Sequence, residues 1–126
     1  LSGTSKVLVE ELPNIAIFAV EPEASAVLCG EDAAPHAIQG IGAGFIPENL
    51  DTTIYGEVIK VSNEDAIETA KMLAKKEGLL VGISAGANVW ATMQVASREE
   101  FKGKTLITIL CDTGERYMST ALFDDE

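Results

Sequence analysis

Residues 79–91 read L-L-V-G-I-S-A-G-A-N-V-W-A, and this stretch joins two kinds of secondary structure. Residues 79–83 form a short apolar run, which is typical of a buried strand. A glycine turn follows, and residues 84–101 are predicted to form a helix. In parallel sheets, ligands bind beyond the carboxyl ends of the strands, often near the start of a helix. Ser84 therefore lies where an α/β protein places its functional groups.

The flanking segments repeat this alternation of strands and helices. Further apolar runs predict strands at residues 15–20, 57–61 and 105–110. One helix ends near Pro13, and another begins after Ser62 as its N-cap and ends at Gly78 as its C-cap. Strands that alternate with amphipathic helices predict an α/β fold of three layers, in which helices cover both faces of a mostly parallel sheet.

The segments between these elements are predicted as turns and loops. Residues 25–28 read as one helical turn, residues 29–54 as a glycine-rich loop, and residues 111–123 as a turn with a short helix. The sequence contains no internal repeat and no low-complexity linker. We therefore expect residues 1–126 to form a single α/β domain.

The bulk composition favours a folded protein that binds neither nucleic acid nor anionic membranes. Hydrophobic residues make up 47% of the 126, and the net charge is −11. No apolar run approaches the about 20 residues that span a bilayer, and residues 1–6 contain no signal-peptide hydrophobic region. Cys29 and Cys111 lack the spacing of a metal site, so we expect no bound metal, and the sequence leaves open two reduced thiols or one bridge between them. These features predict a cytoplasmic protein.

The segment from Gly82 to Gly86 matches G-x-S-x-G, the pattern of a hydrolase nucleophile elbow. A nucleophilic serine needs a histidine, and the only histidine is His36. It precedes Ser84 by 48 residues, whereas the histidine of α/β-hydrolases follows the serine. The pattern therefore predicts a hydrolase poorly. A simpler interpretation is that Ser84 caps its own helix.

The segment from Gly40 to Gly44 reads G-I-G-A-G, which is close to a dinucleotide-binding fingerprint. That fingerprint needs a third glycine where Phe45 stands and a strand directly before the first glycine. Neither is present. The alternative interpretation is a turn-rich connection in which the glycines adopt positive φ or allow a close backbone approach.

Five stretches of the chain, taken together and in order, match the motifs of one enzyme family. They are residues 19–22 (A-V-E-P), 35–47 (P-H-A-I-Q-G-I-G-A-G-F-I-P), 68–70 (E-T-A), 82–87 (G-I-S-A-G-A) and 114–120 (G-E-R-Y-M-S-T). In this order they resemble the cysteine synthase (O-acetylserine sulfhydrylase) family. These are pyridoxal-phosphate enzymes of fold type II, related to cystathionine β-synthase. The resemblance extends over residues 6–123.

The resemblance implies roles for the residues singled out above. The hydroxyl of Ser84 would hydrogen-bond the pyridine nitrogen of pyridoxal 5′-phosphate instead of acting as a nucleophile. Gly40, Gly42 and Gly44 would line the active-site entrance with their backbone. Cys111 falls at a position close to the same ring, and its alternative interpretation is a small buried apolar residue at a strand end.

The resemblance also implies a reaction. Family members replace the acetate of O-acetylserine by sulfide and so form cysteine. Ala37 and Ala85 stand where relatives often have lysine and serine, which leaves O-phosphoserine and cystathionine-type chemistry open as alternatives. A serine hydroxyl does not keep the ring nitrogen protonated as an aspartate does, so the ring is a weaker electron sink. This tuning favours β-elimination and β-replacement over deeper carbanion chemistry such as transamination.

The chain departs from the family in what it lacks. The Schiff-base lysine of the family lies in a motif like S-x-K-D-R, and no lysine here has that context. The substrate loop T-S-G-N-T-G and the phosphate loop G-T-G-G-T are also absent. Residues 1–6 (L-S-G-T-S-K) resemble the stretch that follows the phosphate loop in relatives. We therefore expect the C-terminal portion of a cysteine synthase, without a catalytic residue and inactive alone.

The resemblance finally implies partners. The family forms homodimers, acts on a small amino-acid substrate and binds the C-terminal tail of serine acetyltransferase. An alternative function is a non-catalytic binding module for serine acetyltransferase or for family subunits. Because a sheet without its neighbouring strands exposes an edge, the chain alone is also expected to associate or aggregate.

Overall fold

The computed structural model describes residues 1–117. The α-helices are α1 (Ser2–Glu11), α2 (Asn63–Glu77) and α3 (Ile83–Ala96), and the strands are β1 (Phe18–Pro22) and β2 (Glu57–Val61). Short 3-10 helices cover Glu23–Ser25, Val27–Cys29, Glu99–Phe101 and Gly114–Tyr117. The last of these lies within the short helix predicted at 111–123, of which residues 118–123 lie outside the described part.

The two strands form a parallel sheet, as the alternation of strands and helices predicted. Val20 of β1 lies opposite Ile59 of β2 in the register. The buried face of β2 presents Ile59 and Val61 to the core, where α2 and α3 pack together. The α/β class and the parallel pairing are therefore confirmed. Across residues 1–117, no helix combines the length and the apolar character that crossing a bilayer requires.

Helix α2 begins and ends where local signals predicted. The Ser62 hydroxyl oxygen accepts a hydrogen bond from the backbone N–H of Asp65 at 3.0 Å, which satisfies one orphan donor of the first turn. Gly78 ends the helix in the left-handed region at φ +69°. Helix α3 packs closely on α2 at Gly86, where a Cβ atom would lie 2.1 Å from the carbonyl oxygen of Ala66.

The strand predicted at residues 79–83 is wrong. Only Val81 forms an isolated antiparallel bridge, with Thr113, and Ile83 is already the first residue of α3. Leu79 and Leu80 are 43% and 44% exposed. Within residues 1–117 this apolar segment has no parallel neighbour to complete a ladder, and a strand is defined by such pairing.

The strand predicted at residues 105–110 is wrong for the same reason. This segment forms no strand, and Ile107 is 86% exposed. Two further boundaries differ from the prediction. The strand predicted at 15–20 runs instead from Phe18 through Pro22. Helix α3 ends at Ala96 rather than Phe101, because the chain turns there and Arg98 forms a bidentate ion pair with Glu57 of β2.

Candidate functional site at the start of helix α3

Ser84 is the second residue of α3 and is 3% exposed. The N-cap of the helix is Gly82, and no side chain of residues 1–117 caps it. The interpretation of Ser84 as the cap is therefore wrong, because a capping residue precedes the first helical residue. The start of α3 keeps uncapped N–H groups and the positive end of the helix dipole, and Ser84 lies among them.

Gly40 of the glycine-rich loop lies directly over Ser84. Gly40 has φ +96°, and a Cβ atom there would lie 3.7 Å from Ser84 Oγ. Among residues 1–117, the Ser84 hydroxyl has no hydrogen-bond partner. The fold thus brings together two of the predicted site elements and leaves between them a hydroxyl that can both donate and accept.

The loop is shaped by His36 and its glycines. The Ile38 N–H donates to His36 Nδ1 at 3.1 Å, and His36 Nε2 donates to the Gly42 carbonyl at 2.8 Å. A Cβ atom on Gly42 would lie 2.5 Å from Pro22 Cγ and 2.7 Å from His36 Nε2. Gly42 and Gly44 adopt φ +64° and +81°. The turn interpretation of these glycines is therefore confirmed.

The same contacts bear on the hydrolase alternative. Both nitrogens of His36 bond to the backbone of its own loop, so the ring does not activate Ser84. A serine without a base beside it lacks the arrangement that nucleophilic catalysis needs. The nucleophile interpretation of Ser84 finds no support in the described residues.

A tether joins the loop to α2, and the sequence did not predict it. The carboxamide Oδ1 of Asn63 accepts a hydrogen bond from the Ala37 N–H at 3.0 Å. Asn63 is the first residue of α2, so the best-formed helix of the chain anchors the loop that covers Ser84. Nothing in the local sequence distinguishes this contact from ordinary helix capping, since 26 residues separate the partners.

Cys111 lies beside the same face of α3. Its Sγ is 3.6 Å from Asn88 Nδ2, and Asn88 follows Ser84 by one helical turn. Asn88 also donates to the carbonyl of Ile109 at 2.9 Å. Cys111 is exposed and free, as is Cys29. The interpretation of Cys111 as a buried apolar residue is therefore wrong, because no strand among the described residues covers its segment.

Asp112 and Tyr117 form a second group, which the sequence did not predict. The Tyr117 hydroxyl donates a short hydrogen bond to Asp112, which raises the pKa of Tyr117 to about 12. The other carboxylate oxygen of Asp112 is buried without a partner among the described residues. A Cβ atom on Gly82 would lie 2.0 Å from that oxygen. The available signal was Gly82 itself, since a glycine before a helix often marks such a close approach.

The residues present fit the nitrogen end of a pyridine ring. Ser84 is a buried residue whose hydroxyl has no partner among residues 1–117, so this hydroxyl can donate to or accept from a ring nitrogen. It lies at the start of α3, which no side chain of the described residues caps.

Comparisons with known proteins agree with this chemistry. A family model described as pyridoxal-phosphate dependent enzyme matches residues 1–112. A cysteine synthase from Staphylococcus aureus is 55% identical over 127 aligned residues, which cover 99% of this chain and 41% of the relative. The chain thus spans about two fifths of the length of the curated relatives it matches.

Solved structures give the same result for the fold. The crystal structure of cysteine synthase from Entamoeba histolytica has a TM-score of 0.96 at 42% identity, covering 98% of this chain and 37% of that chain. An O-acetylserine-dependent cystathionine β-synthase from Helicobacter pylori has a TM-score of 0.87 at 40% identity, covering 97% and 39%. The resemblance stated from the sequence motifs is confirmed, and the chain belongs to the family of pyridoxal-phosphate-dependent enzymes.

Proposed function

We propose that residues 1–126 are the C-terminal, ring-binding part of a cysteine synthase, which converts O-acetylserine and sulfide to cysteine and acetate. The observation that carries the proposal is the hydroxyl of the buried residue Ser84, which lies beside Gly40 without a partner among residues 1–117. Identity of 55% to a cysteine synthase supports the choice of reaction.

Ser84 would hold the cofactor ring by its nitrogen. Bound pyridoxal phosphate supplies an electron sink for the substrate amino acid. The Ser84 hydroxyl would exchange a hydrogen bond with the ring nitrogen without fixing a proton there, because a hydroxyl is not an anion at neutral pH. This weak polarisation suits β-replacement better than transamination.

The glycine-rich loop would line the entrance to the site with backbone. Gly40, Gly42 and Gly44 all adopt positive φ, so the loop curves tightly and carries no bulky side chain toward Ser84. Cys111, beside Asn88 on the next turn of α3, would flank the ring from the other side of the helix start.

We propose that the chain holds no catalytic residue of its own, because none of its lysines lies in the S-x-K-D-R context of the family's Schiff-base lysine. Lys6 lies on α1, Lys60 pairs with Glu31, and Lys75 and Lys76 lie in the last turn of α2. The exposed apolar residues at positions 79–80 and 107–110 favour an additional polypeptide that pairs with them. Residues 1–126 would then act as one α/β unit of a larger enzyme.

Complementation tests this proposal. The chain is mixed with the part of the Staphylococcus aureus cysteine synthase to which it does not align, and cysteine formation from O-acetylserine and sulfide is measured. We expect activity only in the mixture, and a lower rate when the chain carries Ser84→Ala. Ser97→Ala, at the far end of α3, is the matched control. Equal rates for both variants in a co-eluting complex would exclude the ring-binding role.

A spectrum tests the missing lysine. Pyridoxal phosphate is added to the chain alone, the mixture is gel filtered, and the visible absorption is recorded. We expect no cofactor band to remain with the protein. A band in the violet that survives filtration would mean that one of the chain's own lysines bonds the cofactor, which contradicts the proposal.

The exposed apolar surface also favours a second candidate function. The chain could serve as a binding module for serine acetyltransferase or for family subunits, including a homodimer. The 86% exposed Ile107 and 65% exposed Ile109 support association. Light scattering and pull-down with purified serine acetyltransferase test this candidate, and a monomer that retains no acetyltransferase would exclude it.

A further inference from the structure

We propose that His36 is the positioning residue of the glycine-rich loop: its neutral ring, in one tautomer, holds Gly40 over Ser84, and protonation of the ring releases Gly40. The functional meaning of this inference rests on the proposed function, because Ser84 is the proposed contact of the cofactor. Its structural content rests only on this chain's own residues and is tested without cofactor.

Two backbone groups define the tautomer. The Ile38 N–H can only donate, and it lies 3.1 Å from His36 Nδ1, so Nδ1 must be the unprotonated acceptor. The Gly42 carbonyl can only accept, and it lies 2.8 Å from Nε2, so Nε2 must carry the proton. A neutral imidazole with the proton on Nε2 is the one form that makes both bonds.

The ring therefore spans the loop on both sides of Gly40. Ile38, two residues before Gly40, is fully buried, and its N–H is bonded to the ring. Gly42, two residues after, packs so closely on Pro22 and on the ring that it has no room for a Cβ atom. Because the His36 ring holds Ile38 and Gly42, Gly40 between them keeps its φ of +96° and lies next to Ser84 Oγ.

Protonation removes the acceptor. An imidazolium has two N–H donors, so its Nδ1–H would oppose the Ile38 N–H and that bond would break. The Asn63 tether to Ala37 would remain, because neither of its groups titrates. We therefore expect the segment from Ile38 to Gly42 to loosen while the start of the loop stays anchored on α2.

Within residues 1–117, no hydrogen bond or ion pair joins a charged side chain to the His36 ring. Three acids of the surrounding elements are bonded elsewhere: Glu21 of β1 to the N–H groups of Leu28 and Cys29, Glu31 of the loop to Lys60 of β2, and Asp65 of α2 to Ser62. Across residues 1–117, none of them forms an ion pair with the ring. Within the described residues, the hydrogen bonds of the His36 ring are therefore to backbone groups alone.

The single histidine makes the test direct. The chain is labelled with ¹⁵N, and the ring nitrogens of His36 and the amides of Gly40 and Ser84 are followed by NMR as the solution is acidified. We expect an unprotonated Nδ1 and a protonated Nε2 at high pH. On acidification, the Gly40 and Ser84 amides should shift with the same midpoint as the ring.

Two variants separate positioning from general structure. In His36→Gln the Gly40 and Ser84 shifts should lose this titration, whereas in Asn63→Ala, which removes only the Ala37 tether, they should keep it. The proposal is overturned if the high-pH ring carries its proton on Nδ1, or if Gly40 and Ser84 stay constant while the ring titrates. Neither result depends on whether Ser84 binds a cofactor, so failure here is distinct from failure of the proposed function.

Discussion

Gly40 and Ser84 are 44 residues apart in the chain, yet a Cβ atom on Gly40 would lie 3.7 Å from Ser84 Oγ. The contact joins the glycine-rich loop to the start of α3 and defines the candidate site. It depends on the positive φ of Gly40, +96°, and on a helix start that no side chain of residues 1–117 caps.

Replacement of Ser84 by alanine should affect function and leave the fold intact. Its hydroxyl has no partner among residues 1–117, so its removal should change the free energy of unfolding by less than about 0.5 kcal/mol. In the complemented enzyme the loss of one hydrogen bond to the ring should lower cysteine formation about tenfold. Urea unfolding and the coupled assay measure the two effects. A large loss of stability would show that the hydroxyl is structural.

Replacement of Gly42 by alanine should destabilise the chain strongly. The new Cβ would lie 2.5 Å from Pro22 Cγ in a residue at φ +64°, so both packing and backbone are strained. We expect a loss of about 2 kcal/mol or more in denaturant unfolding. Gly30→Ala is the matched control, because Gly30 has φ +84° but a Cβ atom there would meet no atom of the described residues within 4 Å. Equal losses for both variants would refute the packing argument.

Replacement of Gly86 by alanine should destabilise the chain although alanine favours helices. A Cβ atom there would lie 2.1 Å from the Ala66 carbonyl oxygen, so α2 and α3 would have to separate. Overpacking costs about 1–3 kcal/mol, which exceeds the propensity gain of about 1 kcal/mol. Gly3→Ala in α1 meets nothing within 4 Å and should stabilise instead. The two melting temperatures should therefore move in opposite directions.

The raised pKa of Tyr117 predicts that the folded chain loses stability at alkaline pH. Its hydrogen bond to Asp112 raises its pKa to about 12, so the folded chain keeps the phenol proton longer than the unfolded chain. This stabilisation is complete below the unfolded pKa of about 10 and is lost as the pH rises from there through about 12. Unfolding followed at several alkaline pH values measures it. Tyr117→Phe should show a flatter dependence, and identical slopes would contradict the assignment.

The elements predicted well are those whose signals are local. Ser62, Gly78 and the acids of the first turn specify α2 within a few residues of its ends, and the structure places the helix there. The strand at residues 57–61 also matches its predicted bounds. Such signals act through hydrogen bonds between near neighbours, so a sequence carries them explicitly.

The elements predicted wrongly are those that need a distant partner. Residues 79–83 and 105–110 have the apolar composition of buried strands, but Val81 makes only one bridge and Ile107 is 86% exposed. A strand exists only when another chain segment completes its ladder, and composition does not say whether that segment is present. The burial predicted for Cys111 failed for the same reason.

The sequence by itself determined the α/β class, the family and the position of Ser84 next to a glycine turn, because periodicity, caps and motifs are written in consecutive residues. The tertiary structure alone decided that Gly82, and not Ser84, occupies the N-cap position of α3. It also decided that His36 bonds to its own loop and that Gly40 lies next to the Ser84 hydroxyl. Those facts depend on backbone groups brought together across tens of residues, and backbone groups are the same at nearly every position of a sequence.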